Sequence, residues 1–183
     1  MTKARRFRKM QTLASIAIFF AVFASCLFWN NLDIQSVQLS HWGIKGNFPF
    51  LWNACLVLLS ISIYINFHHY LSTHSRAFYK RFFYYSFLSI SVALFFTGLI
   101  TMDYDFHDYT AFYYFFAYPF FIFAYAHMNR KHLLYREWFI HNIFSILMIL
   151  CPLVLIKFFP GMAIPESMHS FLVMGWNLWL LRL

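Results

Sequence analysis

TLASIAIFFAVFASCLFW, residues Thr12–Trp29, carries no charge over 18 positions and follows five basic residues, Lys3, Arg5, Arg6, Arg8 and Lys9. A helix needs about 20 mainly apolar residues to cross ~30 Å of hydrocarbon. The run is thus long enough to span a bilayer, with its basic flank held at one surface. Secretory signal peptides begin in the same way, and small residues such as Ala24 and Ser25 lie near the end of this run. Their apolar core is shorter, roughly 7–15 residues, so the segment reads as a retained signal anchor and first span.

Five more such runs follow: Pro49–Phe67, Phe82–Thr101, Ala111–Ala126, Trp138–Phe158 and Pro165–Leu181. They are continuously apolar, whereas a membrane barrel shows segments of about 10 residues with alternating polarity. The expected fold class is all-α, a single six-helix transmembrane domain over residues 1–183. Hydrophobic residues make up 62% and charged residues 11%, against roughly 45–50% and about 25% in soluble domains. A water-soluble body of this size needs more polar surface than the chain possesses. The same balance excludes disorder. Three cysteines, Cys26, Cys55 and Cys151, all inside apolar runs, exclude a disulfide scaffold.

Charge sets the expected orientation. With six spans, 12 of the 14 basic residues fall on the side of the N-terminus, leaving only Lys45 and Lys157 opposite. Five of the six acids, Asp33, Asp103, Asp105, Asp108 and Glu166, join those two. The positive-inside rule then places both termini in the cytoplasm. The net charge of +8 is topology and headgroup contact, not nucleic-acid binding.

The fourth run is nearly all aromatic, from Phe112 to Tyr125, and holds Pro119. Its rings can face lipid or wall a ligand cleft. Pro119, and Pro152 in the fifth run, should bend their helices or open a backbone carbonyl. Ser86, Ser89, Ala93 and Thr97, with Gly98 beside them, form a small face on the third run that suits close helix packing. Asn53, Ser60, Asn142 and Ser145 are expected to bond across helices. Neither internal repeats nor low-complexity segments are present.

Chemistry-capable residues gather in two outer connections. Asp103, Asp105, His107 and Asp108 precede the fourth run, while Pro165, Glu166 and His169 open the sixth. Glu166 sits at the positive end of the helix dipole and shares a face with His169 three residues on. Carboxylates and imidazole can meet a headgroup amine, relay a proton or hold a divalent metal, the candidate ligands being Asp105, His107, Glu166 and His169. The competing reading is that the aspartates merely cap and solvate a tight turn. A second group, His68, His69, His127 and His141, lies toward the inner surface and can hold haem or a metal, or snorkel beside Arg and Lys. His74 and His132 sit at the same level. No His-Glu-x-x-His, Gly-x-Ser-x-Gly or phosphate-cradling glycine motif occurs.

Three patches carry a resemblance. The first is Ser40-His41-Trp42-Gly43 running into Asn53; the second is Gly98 followed by Asp103, Asp105 and His107. The third is Gly161, Pro165-Glu166, Trp179 and Arg182. Together with the six-run layout, they resemble a bacterial family of six-span membrane proteins of unknown function, distantly similar to the DRAM/Frag/Sfk-like family. The position after the acid of the third patch, basic in that family, is Ser167 here. The resemblance implies a compact helical bundle with an outer polar site, in a family linked to membrane-lipid organisation and trafficking.

The leading expectation is a non-enzymatic multi-pass protein of the bacterial inner membrane. It binds a lipid or small ligand at the outer rim, with aromatic walls from the fourth run. The alternatives are a membrane-embedded metal-dependent hydrolase using the same outer cluster, and a protein that handles haem or ions. An ion path is disfavoured because mid-span charges are scarce. Membrane lipids are the expected partners, and a partner subunit or a second copy is left open.

Overall fold

The computed structural model describes residues 3–29, 35, 39–43, 45, 49–74, 77–100 and 105–182. Among them the regular structure is entirely helical, apart from turns. The helices are α1 (Lys3–Trp29), α2 (Pro49–His74), α3 (Ala77–Leu99), α4 (Asp105–Met128), α5 (Tyr135–Leu155) and α6 (Ala163–Leu180), with a short 3-10 turn at Leu39–Gly43 before α2. The six runs read from the sequence each overlap one helix. Most of the helices reach beyond their apolar run into the polar flanks, because intrahelical hydrogen bonding continues wherever it satisfies the backbone.

Four helices, α1, α2, α3 and α5, are long and apolar enough to cross a membrane. The other two are built differently. α4 carries tyrosines and Pro119, and α6 carries Glu166, His169, two serines and Asn177. In both, several polar residues face the protein: Tyr114, Tyr118 and Tyr125 are buried on α4, and Ser167, His169, Ser170 and Asn177 on α6. The outward surface is apolar instead, with Phe112, Phe116 and Phe120 exposed on α4 and Ile146, Leu150 and Leu153 on α5. Polar inside and apolar outside is the arrangement that hydrocarbon solvent demands.

Consecutive helices pack side by side, and the ring closes where α6 meets α1 and α2. Gly98 explains the approach of α3 to α2. A Cβ there would stand 2.9 Å from the Asn53 carbonyl oxygen and 3.0 Å from Leu56 Cβ. On the same small face Thr97 bonds Thr110 of α4 at 3.0 Å, and Ser89 bonds the Tyr113 hydroxyl at 2.8 Å. Small residues that admit a neighbouring backbone are the expected device in lipid. Asn53, expected to bond across helices, donates to the Gly43 carbonyl at 3.1 Å and so anchors the 3-10 turn. The first two resemblance patches therefore meet at Gly43, Asn53 and Gly98.

The centre of the bundle is aromatic and polar together. Phe67, Phe83, Phe87, Tyr118, Tyr125 and Trp176 are fully buried. Asn66 of α2 donates to both the carbonyl and the side-chain oxygen of Asn177, at 3.0 Å each. Asn177 in turn donates to the Tyr118 hydroxyl at 2.8 Å. One asparagine thus ties α2, α4 and α6, with bonds of this kind worth about 0.6 kcal/mol each in membrane bundles.

Candidate functional site

A cleft opens between the first half of α4, the second half of α5 and the start of α6. Phe112, Phe115 and Phe116 line it from α4; Met148, Ile149, Pro152, Leu153 and Ile156 from the α5 side; Met162, Pro165, Glu166 and His169 from the start of α6. Its cavity volume is about 80 Å³. This is far below the roughly 300–1,000 Å³ that encloses a whole drug-sized molecule. A groove of that size suits part of a chain-like ligand. Among the described residues, Glu166 and His169 are the only polar ones that line it.

Local sequence explains why these two stand together. Pro165 lies in the first turn of α6, where a missing N–H breaks no bond. The helix it opens places Glu166 and His169 on one face. Across the cleft, Pro152 sits inside α5. Lacking an N–H, it leaves the carbonyl four residues earlier, that of Met148, without its intrahelical donor. His169 Nδ1 takes that carbonyl at 3.1 Å. The proline expected to open a carbonyl has thereby found its partner on the next helix.

That bond assigns the imidazole. A carbonyl oxygen only accepts, so Nδ1 carries the proton of the neutral ring and Nε2 presents a lone pair. His169 is 1% exposed, and Nε2 has no hydrogen-bond partner. Phe115 meets the ring edge-on with centroids 4.7 Å apart, and Tyr114 packs on it at 5.5 Å. The Tyr114 hydroxyl is likewise buried without a partner. Buried polar atoms left unpaired are uncommon in folded proteins and call for a physical account.

The structure divides the expected outer cluster. Glu166 and His169 line the cleft, whereas Asp105, His107 and Asp108 do not. Asp105 and Asp108 are exposed in the first turn of α4, where carboxylates complement the helix dipole. His107 is buried and holds the Ile100 carbonyl through Nδ1 at 2.8 Å, tying the end of α3 to α4. Asp103 lies outside the described residues. Among the described residues no three His, Cys, Asp or Glu side chains form a group able to hold a metal ion. Asp105, His107, Glu166 and His169 are accordingly not gathered into the metal set that their residue types suggested.

The inner histidines are also dispersed. His68 is exposed beside Tyr84, and His127 is exposed with Nδ1 on the Phe123 carbonyl of its own helix. His69 is half-buried on α2. His141 is fully buried, with both ring nitrogens engaged. Trp176 Nε1 donates to Nδ1 at 3.1 Å, which leaves Nε2–H to donate to the Tyr70 hydroxyl at 3.0 Å. This histidine joins α2, α5 and α6, and neither nitrogen is free to ligate iron. Sequence reasoning passed over Tyr70, Asn66, Asn177 and Trp176. Their signal was a polar or amphipathic residue inside an apolar run or, for Tyr70, just beyond one, but nothing in the sequence pairs them. No family model, curated protein or solved structure matches the chain.

Proposed function

We propose that the chain is a six-span protein of the bacterial inner membrane, with both termini in the cytoplasm, that holds a lipid or lipid-like ligand in the cleft between α4, α5 and α6. The observation that carries this reading is an apolar, aromatic-walled groove between α4, α5 and α6. An acyl chain has the matching character, and it would lie along Phe112, Phe116 and Leu153. The excess of basic residues on the N-terminal side supports the orientation. The bacterial setting and the link to lipid organisation rest on the three patches that resemble a bacterial six-span family of unknown function, distantly similar to the DRAM/Frag/Sfk-like family. A metal-dependent hydrolase at this cleft would need donors beyond Glu166 and His169, the two metal-ligating residues among its described lining.

The test is a phospholipid with a photoreactive acyl chain, crosslinked to the purified full chain and mapped by peptide mass spectrometry. Labelling should concentrate on Phe112–Phe116 and Met148–Ile156. Leu153→Trp, which fills the groove from its exposed wall, should lower that labelling several-fold while leaving thermal stability in detergent unchanged. Labels spread evenly over every lipid-facing helix, and indifferent to Leu153→Trp, would contradict the proposal.

A further inference from the structure

Asn129 fixes the turn between α4 and α5. It is 1% exposed and donates from its side chain to the Tyr125 carbonyl at 3.0 Å. Its own carbonyl accepts the backbone N–H groups of His132 and Leu133 at 2.8 and 3.1 Å. Arg130, the next residue, is exposed, and its guanidinium carbon lies 4.9 Å from the centre of the Trp138 ring. His127 and Tyr135 pack against the same ring, with centroids 6.0 and 5.9 Å away. Trp138 is thus a held platform, and a guanidinium resting on it loses little further freedom when it meets an oxyanion. Among the described residues Arg130 makes no ion pair. Glu137, the acid nearest along the chain, accepts the Leu134 backbone N–H at 3.1 Å instead. We infer that this turn binds the phosphate of an anionic lipid. It stands at the opposite ends of α4 and α5 from the cleft and does not depend on it. Lys131 and Arg136 are exposed in the same stretch and add charge. Leu134 and Tyr135, 71% and 75% exposed, lie between those cations along the chain. Cations interleaved with bare apolar side chains match the depth at which headgroups meet acyl chains. Trp138 opens the fifth apolar run, which puts Arg130 at that depth. The guanidinium fork can take two phosphate oxygens at once. A zwitterionic lipid offers the same phosphate but brings an ammonium toward three cations.

Native mass spectrometry of the full chain tests this, with phosphatidylglycerol, phosphatidylcholine and phosphatidylethanolamine of identical acyl chains. Phosphatidylglycerol should bind about tenfold tighter than either of the others, the scale of one charge-assisted contact. Arg130→Gln should remove most of that preference. Arg130→Lys keeps the charge without the fork and should still lower it several-fold. Trp138→Leu keeps every charge but removes the platform, and should lower it likewise. Arg130 is exposed, so its variants should keep the thermal midpoint of the native chain. Arg81→Gln removes an exposed cation near the start of α3, on the same side of the membrane, and should change the preference little. Leu153→Trp, in the cleft, should leave it intact, so loss of cleft labelling and loss of this preference are separate results. Equal binding of the three lipids would overturn the inference. Arg81→Gln weakening the preference as much as Arg130→Gln would also overturn it, as diffuse surface charge. Inorganic phosphate displacing the lipid as effectively as phosphatidylglycerol itself would overturn it in favour of the free ion.

Discussion

His169 shows how one residue type acquires a role through a neighbour 17 positions away. Pro152 frees the Met148 carbonyl, and His169 occupies it. Pro152→Ala restores an N–H able to bond that carbonyl within α5. The account therefore expects non-additivity. His169→Phe should cost about 1 kcal/mol in the native background and markedly less in Pro152→Ala. Equilibrium denaturation of the two single variants and the double variant in mixed micelles measures the coupling, and strict additivity would contradict the assignment. Part of this was legible in the sequence. The spacing of Glu166 and His169 placed both on one face, and Pro152 announced an opened carbonyl. What could not be read was which of the outer acidic and imidazole groups reach the cleft. His107 instead holds the Ile100 carbonyl, and a contact of that kind between two helix ends has no periodic signature.

At the scale of elements, hydrophobic run length found all six helices, but it ranks them differently from the structure. α4 and α6 fall short of the hydropathy of the other four, because they carry tyrosines, histidines and Asn177, of which Tyr114, Tyr118, Tyr125, His107, His169 and Asn177 are buried. Tyrosine and tryptophan bury large rings while keeping a polar handle, so simple hydropathy undervalues them. The small face of α3 was legible, and its purpose is visible at Gly98, where α2 leaves no room for a side chain. Gly98→Val should destabilise the bundle by about 1–3 kcal/mol through overpacking against the Asn53 carbonyl and Leu56. Thermal unfolding in detergent would show it as a lowered midpoint. A neutral result would mean that α2 and α3 are not so closely packed. The polar ties between elements, such as Asn66 to Asn177, join residues 111 positions apart and needed the fold to reveal them.

The whole molecule turns an apolar surface outward and a network of Asn, His, Tyr and Trp inward, beside a groove lined by residues of α4, α5 and α6. This arrangement makes sense only if α4 and α6 cross the bilayer with the other four helices. The position of the termini does not test that claim, since four crossings and six both return the chain to its starting side. The connections do. With six crossings Lys131, between α4 and α5, lies on the N-terminal side, and Lys157, between α5 and α6, lies opposite. If only α1, α2, α3 and α5 cross, the two positions exchange sides. Single cysteines at Lys131 and Lys157, in a chain with Cys26, Cys55 and Cys151 replaced by alanine, can be challenged with a membrane-impermeant thiol reagent in intact cells. The account expects reagent added outside to label position 157 and spare position 131. Labelling of 131 with protection of 157 would contradict it.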